Sequence, residues 1–129
     1  MKTLTALALA ALFCAPCHAA TSRAQANEWL DKFETAKANS SDALILNNPA
    51  KRRDLMQKVV ALRDRAEKLF GESSECASAA NGLVNMYQDE VELVQGARNA
   101  HITASGLANS AWTAGEYFDI CENKINSIK

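Results

Sequence analysis

The sequence predicts an all-α protein: a small antiparallel, up-down-up-down four-helix bundle closed by one disulfide. Three observations lead there. Beyond residue 20 the apolar side chains recur every three or four positions, the spacing that lines one face of an α-helix, and no alternating run is long enough for a sheet. Helix start and stop signals divide this pattern into four amphipathic segments with short connections, which favours antiparallel neighbours. Cys76 and Cys121 fall on the apolar stripes of the last two segments and come level when those segments fold back on each other.

Residues 1–19 read as an export signal. Lys2 gives a basic start, Leu4 to Phe13 an apolar run, and Cys17-His18-Ala19 a short site with small residues where a signal peptidase inspects them. The run is about half the ~20 residues a membrane-spanning helix needs, so no membrane span is expected after cleavage. Phe13 and Pro16 precede Cys14 and Cys17, where a lipoprotein site would need a small residue. Cleavage after Ala19, with a site one or two residues later as the competitor, leaves residues 20–129 as a single domain. The alanine-rich signal reads as bacterial and the destination as periplasmic or secreted.

The first helix begins near Ser22 and carries Trp29, Leu30, Phe33 and Ala36 on one side. Ala38 to Asp42 weakens it, and Leu44, Ile45 and Leu46 form either its last turn or a separate short one. Asn48 suits an N-cap and Pro49 the first turn of the second helix, whose stripe is Leu55, Met56, Val59, Leu62, Ala66, Leu69 and Phe70. Gly71 supplies the stop. Ser73 or Ser74 caps the third helix, with the stripe Cys76, Ala80, Leu83, Tyr87, Val91 and Val94. A loop is expected somewhere between Gly96 and Gly106. The fourth helix carries Ala111, Ala114, Phe118, Cys121, Ile125 and Ile128.

Charge refines the register. The exported domain has 13 basic and 15 acidic side chains once Lys2 is removed, which gives no footprint for nucleic acid. The charge is uneven: residues 51–68 hold seven basic and three acidic groups, residues 72–129 three basic and eight acidic. Folding the second and third helices back about Gly71 sets Lys51 opposite Glu92 and Arg53 opposite Glu90. Pairing there would explain why Lys51-Arg52-Arg53 stands where the helix dipole disfavours cations.

With Cys14 and Cys17 removed, two cysteines remain in an oxidising compartment, where they normally pair. Closing the Cys76–Cys121 loop is worth about 4 kcal/mol in the loop-entropy picture. Small neighbours (Ala77, Ala79, Ala80, Gly115) let the two backbones approach.

The chemistry-bearing motifs weaken on inspection. Cys14-Ala15-Pro16-Cys17-His18 is a literal C-x-x-C-H, the pattern for covalent haem attachment, but it lies inside the segment removed by cleavage. His101 sits in or beside the third connection, and haem held without covalent links would need Met56 or Met86 as the second ligand. No Glu-x-x-His pairs of the kind that hold two metals in a bundle occur, and no glycine-rich phosphate loop. No nucleophile, base and acid are set together by spacing, so an enzyme is not expected.

Two features could meet a partner. Trp112 and Tyr117 lie off the main stripe of the fourth helix, and exposed aromatics are enriched at interfaces. Lys51, Arg52 and Arg53 could receive an acidic partner or a phosphate, the competing reading being internal pairing with Glu90 and Glu92. The functional expectation is therefore an exported non-enzymatic interaction protein of inhibitor, immunity or adaptor type, without a cofactor. The alternative is a bundle that carries haem or another cofactor. Mass spectrometry of the exported protein should find Ala20 as its first residue; a start before Cys14 would restore the haem motif to the exported chain.

Overall fold

The computed structural model describes residues 20–96 and 98–129, so the predicted export signal and its C-x-x-C-H motif lie outside the described residues. The Ser22 hydroxyl accepts from the Gln25 N–H while the Gln25 side chain accepts from the Ser22 amide, a reciprocal cap that starts α1 (Arg23–Ser40). The fully buried Ser40 ends it, its hydroxyl donating to the Lys37 carbonyl. Asp42 then accepts from the Leu44 N–H and starts a separate one-turn helix, α2 (Ala43–Leu46). Asn48 accepts from the amides of Ala50 and Lys51, and Pro49 opens α3 (Pro49–Phe70). Gly71, at φ 96°, closes α3 in a conformation that a side chain would resist. Ser74 caps α4 (Glu75–Val94), and α5 (Ala100–Asn126) follows.

The protein is thus all-helical with five helices among the described residues, where the sequence predicts four. The added element is the clump Leu44–Leu46. Ile45 and Leu46 tuck against the core while Leu44 is 75% exposed. The connection expected between Gly96 and Gly106 ends at Asn99, so Gly106 lies inside α5; a Cβ there would stand 3.3 Å from the Asp89 carboxylate, and the glycine lets α5 lie close to α4. One further expectation is corrected. Val94, assigned to the core stripe of α4, is 43% exposed. Its level on α4 lies beyond the start of α3, and nothing from α3 covers it.

Packing follows from a few contacts. α4 and α5 run antiparallel, fixed at one end by Cys76 and Cys121, whose sulfurs are at bonding distance with Cα atoms 4.9 Å apart. Lys124 reaches Glu75 at 2.6 Å beside them. Further along, Gly82 faces Ala114 so tightly that an added Cβ would sit 2.9 Å from the Ala114 nitrogen. Further still, the Ser110 hydroxyl meets Asp89 at 3.5 Å. α3 lies antiparallel to α4, with the Tyr87 hydroxyl donating to the Arg52 carbonyl at 3.2 Å. α1 lies antiparallel to α3: the Trp29 indole N–H donates to the Leu62 carbonyl at 2.9 Å, and the Thr21 hydroxyl donates to the Leu69 carbonyl.

The core is aromatic where three helices meet. Phe33 of α1 stacks on Phe118 of α5 with centroids 4.5 Å apart, and Trp29 touches Phe33 and the edge of Phe70. Such pairs contribute about 0.5–1.5 kcal/mol each beyond burial. No described helix is long and apolar enough to cross a membrane.

Peptide mapping without reductant should recover Cys76 linked to Cys121. Reduction should lower the unfolding free energy by about 2–4 kcal/mol, read as a shift in urea midpoint, because the freed chain regains loop entropy when it unfolds.

Candidate functional site

A helix turns about 100° per residue, so side chains on α5 can be placed by angle. Its core-facing residues Ala114, Phe118, Cys121 and Ile125 are all buried. Trp112 stands about 150° round from the centre of that group and is 67% exposed. Glu116 and Asp119 share its face and are exposed. Tyr117, 36% exposed, lies about 140° from Trp112 along the rim that leads to α4. The two aromatics that the sequence nominated therefore do not form one patch.

Glycine usage marks the flank of α5 next to Trp112, where Gly115 is half-buried. A helical glycine costs about 0.5–1 kcal/mol relative to alanine. Gly82 and Gly106 are explained by Ala114 and Asp89, which leave no comfortable space for a Cβ. Gly115, three residues on from Trp112, has nothing within 4 Å of where a Cβ would be. No contact within the chain requires it.

The basic cluster does not make its predicted pairs. Among the described residues no ion pair joins Lys51, Arg52 or Arg53 to an acid. The reason is register and competition. Tyr87, not Val91, is level with Arg52, so α4 is displaced by about one turn from the predicted alignment and its acidic end runs past the start of α3. Arg52 is instead committed to the Leu46 carbonyl at 2.5 Å, where it closes α2. Lys51 and Arg53 remain exposed, where an ion pair would be worth only about 0–1 kcal/mol.

Glu90, freed from that pairing, is half-buried. One carboxylate oxygen accepts from the Ser41 hydroxyl at 2.7 Å, and the other is enclosed with no hydrogen-bond partner. Burial raises its pKa, opposed only in part by Ser41. Burial likewise raises that of Tyr87, with Arg52 pulling the other way. Glu75, partly exposed at the start of α4, is shifted downward, chiefly by the hydrogen bond from Lys124.

The residues considered for a cofactor are separated. His101 is exposed in the first turn of α5, whereas Met86 is 5% exposed inside the core. The α4–α5 pairing sets Met86 level with Ala111, ten residues and about 15 Å along α5 from His101. Met56 is half-buried on α3 at the edge of the core. No group of three His, Cys, Asp or Glu side chains suited to a metal ion occurs among the described residues.

One feature escaped the sequence reading. Between α1 and α3 runs an open groove of about 620 Å³ with an apolar floor of Trp29, Ala36, Leu55 and Leu62. Lys58 and Arg65 of α3 line one side; Glu28 and Lys32 of α1, paired with each other at 2.5 Å, line the other. The groove itself has no sequence signal; only its basic edge does, through the seven-residue spacing of Lys51, Lys58 and Arg65, which sets these cations along one edge of α3.

Glu90 generates a sign test. An acid whose native pKa is raised binds more protons folded than unfolded, so it favours folding increasingly as pH falls through the native value, and the gain is complete below the unfolded value near 4.5. Replacing Glu90 with Gln should therefore leave stability at pH 8 equal to or above the parent. The difference should shrink as pH is lowered toward 4.5, read from urea midpoints across that range.

Comparison with protein-family models, with curated proteins and with solved structures found no match to this chain, so its function rests on the residues described above.

Proposed function

We propose that this chain is an exported, non-enzymatic interaction protein, in which the four long helices form an up-down-up-down bundle and α5 offers its outer face to a protein partner. The observation that carries the reading is Trp112. It is the bulkiest apolar group on the surface, 67% exposed, and it points away from a core that is already filled by Trp29, Phe33, Tyr87 and Phe118. Exposing an indole gives up about 1.5–3 kcal/mol of burial that the core would supply. Interfaces concentrate their binding energy in such residues.

The rest of the molecule suits a presenting scaffold. The Cys76–Cys121 bond, the tight Gly82–Ala114 contact and the Lys124–Glu75 pair all fix α5 against α4. An interface side chain on a braced helix loses little freedom on binding. Tyr117 and the cations Lys51 and Arg53 lie off this face, so the proposal rests on Trp112 and its neighbours. The export signal and the oxidising compartment support a partner in the periplasm or outside the cell.

A photo-crosslinking amino acid placed at position 112 in the producing cells should yield one discrete adduct, while the same group at exposed Gln57 on α3 should yield none. In the chain without the crosslinker, Trp112→Ala should change unfolding free energy by no more than about 0.5 kcal/mol and should abolish co-purification of the partner that the adduct identifies. A loss above about 3 kcal/mol would instead assign Trp112 to the core.

A further inference from the structure

Two surfaces of this chain complement each other. The outer face of α5 carries Trp112 flanked by the exposed acids Glu116 and Asp119, one turn and two turns on. The α1–α3 groove has an apolar floor, with Lys58 and Arg65 along its α3 edge and Glu28, Asp31 and Lys32 along its α1 edge. Arg65 is exposed and has no ion-pair partner within 4 Å, and Lys58 is paired only to the exposed Asp54 of its own helix. An aromatic anchor with acidic flanks on one face, and an apolar trough with a basic edge on another, are the two halves of a helix-in-groove contact. Gly115 adds an independent sign. It makes no demand within the chain, and a bare backbone beside Trp112 lets another helix approach closely.

We infer that the partner of the α5 face is a second copy of this chain, whose α1–α3 groove receives Trp112. The inference rests on the interaction reading above and names its partner. Because the two surfaces differ, the contact is heterologous: one copy keeps its groove free and the other its α5 face, so assembly proceeds head to tail. The groove edge between Lys58 and Arg65 spans about 10 Å of helix, which makes each contact small. Small interfaces are weak, so association belongs to concentrations on the order of 100 μM and declines with salt as the Lys and Arg attraction to Glu116 and Asp119 is screened.

The test is sedimentation velocity on the purified, disulfide-bonded protein at about 5 and 500 μM in low and high salt. The expected result is monomer at the lower concentration, and at the higher one mass beyond the dimer that falls with salt. Trp112→Ala alone, and Lys58→Glu with Arg65→Glu, should each remain monomeric with circular dichroism spectra like the parent. Mixed in equal amounts they should form a dimer and stop there, since one supplies the intact groove and the other the intact α5 face. Gly115→Ala should raise the thermal midpoint by a few degrees, as helix propensity dictates, yet weaken assembly. Monomer under all conditions, assembly that ignores these substitutions, or a mixture that stays monomeric would each overturn the inference. If the chain is monomeric but position 112 still crosslinks to a different protein, self-association falls and the interaction reading stands. If it is monomeric and position 112 crosslinks to nothing, both fall.

Discussion

The close pairing of α4 with α5 is the constraint from which the rest of this structure follows. It depends on small side chains: Gly82 lies so near Ala114 that one added carbon would collide with backbone, and Gly106 passes beside the Asp89 carboxylate. Close approach brings Cys76 within reach of Cys121, and the resulting bond fixes the ends that the glycines bring together. With α5 held there, Phe118 is presented to Phe33, and the aromatic chain through Trp29 to Phe70 ties α1 and α3 to the same core. Enlarging one residue in the small-residue seam would therefore disturb contacts on helices that it never touches.

The same constraint accounts for what is left exposed. α4 and α5 extend past the levels at which α1 and α3 begin or end, so Val94 and Ile102 have no neighbour to cover them. α2 covers part of that end: Arg52 closes its last turn and Ser41 reaches Glu90. The enclosed carboxylate oxygen of Glu90 is the cost of this arrangement, since the nearby guanidinium is used elsewhere.

Local chemistry made most of the fold legible in the sequence. Ser22, Asn48, Pro49, Gly71 and Ser74 each carry a start or stop signal that depends only on a few neighbouring backbone groups, and each stands where it was expected. The pairing of Cys76 with Cys121 was legible because helical periodicity sets both on apolar stripes at one level, and the expected export signal takes the other two cysteines with it. What was not legible depends on distance relations between helices. The ion pairs expected for Lys51 and Arg53 needed a register correct to within one turn, and a four-residue displacement removes them. Where α5 begins between Gly96 and Gly106 was not legible either, because only the approach of α4 gives Gly106 a reason to be in a helix. For the candidate site, the exposure of Trp112 could be read from its angle on α5. The α1–α3 groove could not, because a gap between helices is a property of how they splay and not of any residue in them.

The indole of Trp29 is sealed from solvent and hydrogen-bonded to a main-chain carbonyl, while that of Trp112 stands in water. The chain therefore contains two indole fluorophores, excited apart from its tyrosines at long wavelength, with separate meanings. A dissolved collisional quencher can reach the second and not the first, so emission resolves into a shielded, blue-shifted part and an accessible, red-shifted part. The shielded part reports whether the interior is intact, and the accessible part reports whether anything has settled on the outside of α5.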